Sequence, residues 1–216
     1  MPLPANYNGY GRLNSRKNRP IGPSFLIHQQ WVNPLAAVTN GISAIAAAPN
    51  TATADRTIGG SLASGGRVVL DFPRPVLVTV THATSIVAVS GITYGYDLDG
   101  QAIQEAWSVT ATGTSKTAGG LVSFKVVTRV SVTAAADASA DSIIVGTTAK
   151  LGLDVTAAHP SPNKELMDGS VPTAGVITIA SVAANADPRG IFAPNTAPDG
   201  AHDYDVWYIS DDPWNS

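Results

Sequence analysis

The chain has 216 residues, 13% of them charged, and a formal net charge of −3. That length suffices for one all-β domain, or two small ones, with a real core, and a charge content well under the usual ~25% points away from a freely diffusing enzyme and towards faces covered by neighbours. The absence of cysteine excludes disulfides, thiol nucleophiles and cysteine-based zinc sites, and the negative balance argues against nucleic acid as a partner.

In chain order, residues 1–34 read as an extended arm, with Pro2, Pro4, Pro20, Pro23 and Pro34 set among Asn and Gly. Prolines stand where a signal peptide would need an apolar run, so no secretory leader is expected. The arm is basic: Arg12, Arg16, Lys17 and Arg19 all precede the first acid, Asp55. Phe25, Leu26, Ile27 and Trp31 make it too apolar to remain in water. They are expected to anchor it on its own domain or on a neighbouring subunit. Residues 36–66 are rich in Ala, Thr, Ser and Gly, and "GGSLASGG" at 59–66 reads as a flexible connector. Residues 1–66 are thus predicted to be arm and connector, ahead of a β-domain over 67–216.

Six segments follow with β-branched, mostly alternating residues: 67–72, 76–83, 85–97, 102–112, 123–134 and 141–153. In "FKVVTRVSVTA", Val126, Thr128, Val130 and Val132 fall on one face. Period-two patterning broken by short turns predicts an antiparallel β-sandwich or jelly-roll-like domain. A Pro-rich insertion near 159–172 precedes two further strand-like stretches, 175–182 and 202–210. No apolar run approaches the roughly 20 residues of a membrane span.

The most sharply patterned stretch is "YGYDLDGQAIQEAW", residues 94–107. An Asp-Gly pair between alternating apolar runs is a hairpin signal, and a type I′ turn at Asp99–Gly100 accounts for both residues without a function. Asp97 and Asp99 begin an acidic calcium loop, but the further acids and terminal Glu are missing. Asp97 and Glu105 could be neighbours along the hairpin, yet a glycosidase pair needs a cleft. Tyr94, Tyr96 and Trp107 are expected to pack across strands, to meet a partner, or to form stacking platforms for sugar. His28, His82, His159 and His202 lack metal-ligand spacing, and neither a G-x-S-x-G elbow nor a phosphate loop is present. The expectation is no catalytic residue, no metal, no cofactor and no small-molecule substrate.

The end of the chain is acidic. From Lys150 onward there are three bases against nine acids, and Trp207, Tyr208 and Trp214 stand beside Asp211 and Asp212. These aromatics are expected to be buried in an interface or in the core. A basic arm at one end and an acidic segment at the other suit head-to-tail assembly between copies.

Residues 92–132, "ITYGYDLDGQAIQEAWSVTATGTSKTAGGLVSFKVVTRVSV", resemble stretches in virion structural proteins of tailed bacteriophages. The pattern G-x-D-x-x-G-x-x-x-x-E is carried by Gly95, Asp97, Gly100 and Glu105, followed by a "TGT" segment and an "FKxVxxV" strand. The resemblance covers about one fifth of the chain and implies a non-enzymatic virion component. A capsid decoration (cement) protein fits first, with a tail- or neck-associated protein as the variant. Its partners would be the major capsid protein and copies of itself, and its location the virion. A carbohydrate-binding, adhesin-like β-module is the reading from a different class.

Overall fold

The computed structural model describes residues 24–82, 88–109, 115–134, 141–179 and 189–210. The described chain is all-β, with antiparallel pairing throughout, consistent with a β-sandwich. Its strands begin with β1 (Phe25–Trp31), β2 (Ser43–Ala47), β3 (Ala54–Asp55), β4 (Ala63–Ser64) and the long β5 (Arg67–Thr81). Next come β6 (Val89–Tyr96), β7 (Ala102–Val109), β8 (Ser115–Val132), β9 (Ser142–Thr147) and β10 (Leu151–Gly152). The last are β11 (Lys164–Met167), β12 (Val176–Thr178), β13 (Ile191–Ala193) and β14 (Tyr204–Ser210).

The large sheet has the order β2-β9-β5-β8-β6-β7, with β3 on β8 and β4 on β5. Val and Ile on its inner face bury one core, including Val68, Val78, Phe124, Val127, Val130 and Val145. Two three-stranded sheets, β1-β14-β11 and β10-β13-β12, enclose a second core of Trp31, Leu151, Leu153, Phe192, Tyr204, Val206 and Tyr208.

Several sequence expectations change here. Residues 24–66 are more than arm and connector, since they supply four strands, and of the two expected anchors for Phe25–Trp31 the described contacts are with the chain's own domain. β1 pairs residue by residue with β14, from Phe25↔Ser210 to Trp31↔Tyr204. It alternates Ile27, Gln29 and Trp31 inward against Leu26, His28 and Gln30 outward. The glycine-rich 59–66 turns at Gly60–Ala63, where Ala63 N–H donates to Gly60 O at 3.0 Å, and is held on the preceding segment by Gly60 N–H to Ile42 O at 3.0 Å and Leu62 N–H to Gly41 O at 2.9 Å, before β4 folds back on β5. The Pro-rich passage contains β11, which closes the outer edge of β14.

Single strands also depart from simple alternation. β5 runs unbroken through Pro73 and Pro75, and its register with β8 shifts at those positions, since proline cannot donate to the ladder. In β8, Tyr94 pairs with Arg129 but Gly95 pairs with Val127. The extra residue, Thr128, is a bulge that turns Val127 inward with Val130 and Val132. Val126 is left half-buried rather than on their face.

Candidate functional site

The β6–β7 hairpin closes through Asp97. Its carboxylate Oδ1 accepts the N–H groups of Asp99 at 2.9 Å and Gln101 at 2.7 Å, while Gly100 N–H donates to Asp97 O at 3.3 Å. Of the loop residues only Gly100 has positive φ, +78°. A type I′ turn would need Asp99 there as well. The loop is therefore a type I turn followed by a left-handed glycine, a three-residue connection rather than the expected two-residue one.

The hairpin tip is exposed at Leu98, Asp99 and Gly100, but the residue that closes it is not. Asp97 is buried, and Arg189, itself only 1% exposed, reaches it from the loop before β13. Nη2 of Arg189 lies 3.0 Å from Asp97 Oδ2, and Nη1 lies 3.1 Å from Asp99 Oδ2. One guanidinium thus binds two carboxylates of the hairpin and joins the large sheet to the second core. Arg189 is 90 residues from Asp99 in sequence, a separation at which no spacing signal operates.

The polar network continues into β1. Gln29 donates through Nε2 to Gly152 O at 3.1 Å and to Asp154 Oδ1 at 2.9 Å. Its Oε1 accepts Asp154 N–H at 2.9 Å and the Tyr208 hydroxyl at 3.3 Å. Burial pushes the Asp154 carboxyl up, Arg189 opposes that shift and Asp99 adds to it. Tyr208 is raised by burial above the ordinary phenol range. Every polar atom of the Gln29 amide is engaged, so the arrangement locks β1, β10 and β14 together.

Glu105 lies opposite Thr93 on β7, four strand steps or about 13 Å from the hairpin loop. Asp97 and Glu105 are therefore not the neighbours that the hairpin alone implies. The Glu105 carboxylate accepts Leu121 N–H at 2.8 Å and Gly120 N–H at 3.3 Å across the sheet. Gly119 and Gly120 both have left-handed backbone, φ +85° and +87°, so Glu105 caps a two-glycine kink in β8. Burial raises its carboxyl, and the backbone N–H groups of Leu121, Gly120 and Val122 pull it back down. The four motif residues are thus explained by folding. Gly95 has no room for a side chain, since a Cβ there would sit 1.9 Å from Val126 O; Asp97 and Gly100 close the loop; Glu105 holds the kink.

Aromatic residues divide between core and surface. Trp107 is 4% exposed in the first core and offers no ring to a ligand, which removes it from any stacking platform. Tyr94 carries the Arg129 guanidinium 3.9 Å above its ring, and Tyr96 is 43% exposed beside it. With Gln104 and Thr128 they line a shallow groove of about 270 Å³. On the second sheet, Trp207 faces outward between His28, stacked at 4.1 Å, and Lys164, whose ammonium lies 4.5 Å from the ring. Trp31 stacks on Phe192 at 5.6 Å and is wholly buried, as is Tyr208. These two serve the chain's own core and not a partner. Ile27 packs against that core, Phe25 is half-buried, and Leu26 is 49% exposed. Arg12, Arg16, Lys17, Arg19 and Trp214 lie outside the described residues.

Sequence spacing missed one further buried pair, His82 and Asp141, whose ring nitrogen and carboxylate are 2.8 Å apart. No group of three or more His, Cys, Asp or Glu able to hold a metal occurs among the described residues. Comparison with protein-family models, with curated protein sequences and with solved structures finds no match to this chain.

Proposed function

We propose that this chain is a non-enzymatic structural subunit of a tailed-bacteriophage virion, first of all a capsid decoration (cement) protein working through contacts with the major capsid protein and with its own copies. The observation that carries the reading is the state of the large sheet's edge. β2 ends the sheet, and Ala44–Ala47 are exposed on it, Ile45 to 65%. An apolar edge strand is where a neighbour can add a strand, and because Arg56 already holds Ala47 O at 2.9 Å and Ala44 O at 3.3 Å, the exposed side chains would carry most of the contact here. Each such contact stabilises the assembled form by mass action. The carboxylates most tempting for chemistry are occupied within the fold, Asp97 and Asp99 on Arg189 and Glu105 on β8 amides. The resemblance of residues 92–132 to phage virion proteins supplies the kind of particle.

The test is binding of the purified chain to heads of the encoding phage from which it has been omitted, with head rupture on heating as the readout. Heads that bind it and rupture at higher temperature support the reading. A chain that stays monomeric and leaves the heads bare overturns it. Closed rings in solution would move it to the neck or tail, and small clusters would keep it on the head surface.

A second reading, a sugar-binding β-module, is favoured by the exposed ring of Tyr96 and the amide of Gln104 in one groove. It expects glycan-array binding that Tyr96→Ala abolishes.

A further inference from the structure

Arg74 is the second wholly enclosed guanidinium, 1% exposed on β5. Asp71 holds two of its nitrogens, Nε at 2.9 Å and Nη2 at 2.7 Å. The third, Nη1, is buried without an acceptor. An enclosed guanidinium N–H with no partner is costly, more so for a charged donor, so its surroundings bear on function. Arg74 lines a cavity of about 50 Å³ with Thr147, whose Oγ1 accepts Val38 N–H at 3.0 Å and keeps its own O–H to donate. Lys125 stands beside them, its ammonium 2.8 Å from the carbonyls of both Leu70 and Asp71. Two cations and one carboxylate leave this corner positive on a chain of net charge −3. The rim is apolar: Leu35 is 51% and Val69 56% exposed, with Leu62 between the walls. A cavity this size takes a carboxylate and nothing as large as a sugar ring or a base. Arg189 shows the same chemistry completed, one guanidinium serving two carboxylates.

We propose that the Arg74 cavity receives the carboxylate of Asp211 or Asp212 from a second copy of this chain, with Trp214 of that copy lying over Leu35 and Val69. The inference rests on the reading of the chain as an assembling subunit, and it names the contact. The acidic, aromatic segment "DDPWNS" directly follows β14. The length of β14 points to a second copy as the source. Leu35 neighbours the start of β14, since Gly200 N–H bonds Pro34 O at 2.9 Å. Ser210 is six strand steps further on, about 20 Å, and Asp212 stands only two residues beyond it, about 7 Å when extended. A tail of one copy in the cavity of the next is a heterologous contact, so it propagates into a ring or a chain.

Sedimentation velocity of the full chain across a concentration series tests this with two variants. Asp211→Asn with Asp212→Asn removes the carboxylates. Val69→Glu sets a like charge at the cavity mouth, on a side chain exposed enough to leave the fold intact. Each variant alone is expected to weaken self-association by about tenfold or more. Mixed together they should form a one-to-one pair that grows no further, because one supplies the only intact cavity and the other the only intact tail. The proposal is overturned if the Asn variant associates as tightly as the unmodified chain, if the mixture stays monomeric, or if the unmodified chain is itself monomeric throughout. In that last case binding to phage heads would leave the virion reading standing, so the two failures are distinguishable.

Discussion

Arg189 and Asp97 are both nearly excluded from water, and enclosing such charges is tolerated only because they face each other at 3.0 Å. Arg189→Met should therefore cost about 3–5 kcal/mol, because it strands Asp97, and Asp97→Asn should cost less, since an amide still accepts from the turn N–H groups. Urea denaturation of the two variants checks the order. At the surface, the Asp199 carboxylate lies 2.8 Å from His202 Nδ1. That hydrogen bond raises the imidazole above its ordinary 6.5, and the backbone N–H of Ala201, with His202, holds Asp199 below its own. The raised imidazole contributes stability that is complete below pH 6.5 and fades as pH rises through the folded value. A histidine proton-shift titration should show His202 returning towards 6.5 in Asp199→Asn.

Among elements, β1 and the kink in β8 separate local from tertiary causes most sharply. β1 carries Ile27, Gln29 and Trp31 into the second core, so a chain beginning at residue 36 should lose that core. Limited proteolysis should then cut within β13 and β14, and a truncated chain that keeps both strands as protected as in the full chain would return residues 25–31 to the status of an arm. In β8, Glu105→Ala leaves the N–H groups of Gly120 and Leu121 without their acceptor, and about 1–3 kcal/mol of stability should go with it. Burial raises the Glu105 carboxyl above its ordinary 4.5, so the folded chain keeps that proton longer than the unfolded one. Its contribution is most favourable below pH 4.5 and declines as pH rises through the folded value. Glu105→Gln should flatten stability against pH over that window, as thermal melts at stepped pH will show.

Among the described residues, the exposed apolar strand β2 and the positive cavity at Arg74 both face outward. They respond differently to salt. Strand addition at Ile45 depends on apolar and backbone burial and should persist as ionic strength rises. A carboxylate latch weakens as the Debye length falls from about 10 Å at 0.1 M to about 3 Å at 1 M. Self-association that is abolished by high salt would assign assembly to the latch, and association that survives it would assign assembly to the strand edge.

Alternation of Val, Thr and Ile determined by itself that the chain is all-β, because a period of two puts apolar groups on one side of a strand and of nothing else. The Asp-Gly pair likewise marked a hairpin, since only a residue tolerant of positive φ closes one. Three things came from tertiary structure alone. The bulge at Thr128 exchanged Val126 for Val127 on the inner face, and a one-residue slip is invisible to a pattern that both registers satisfy. The apolar residues 25–31 became a strand because β14, some 180 residues later, offered an open edge. The carboxylates of the hairpin became structural because Arg189 is brought to them through space. Burial and pairing are properties of the folded surroundings, and a lone arginine in a loop carries no local trace of the charges it will meet.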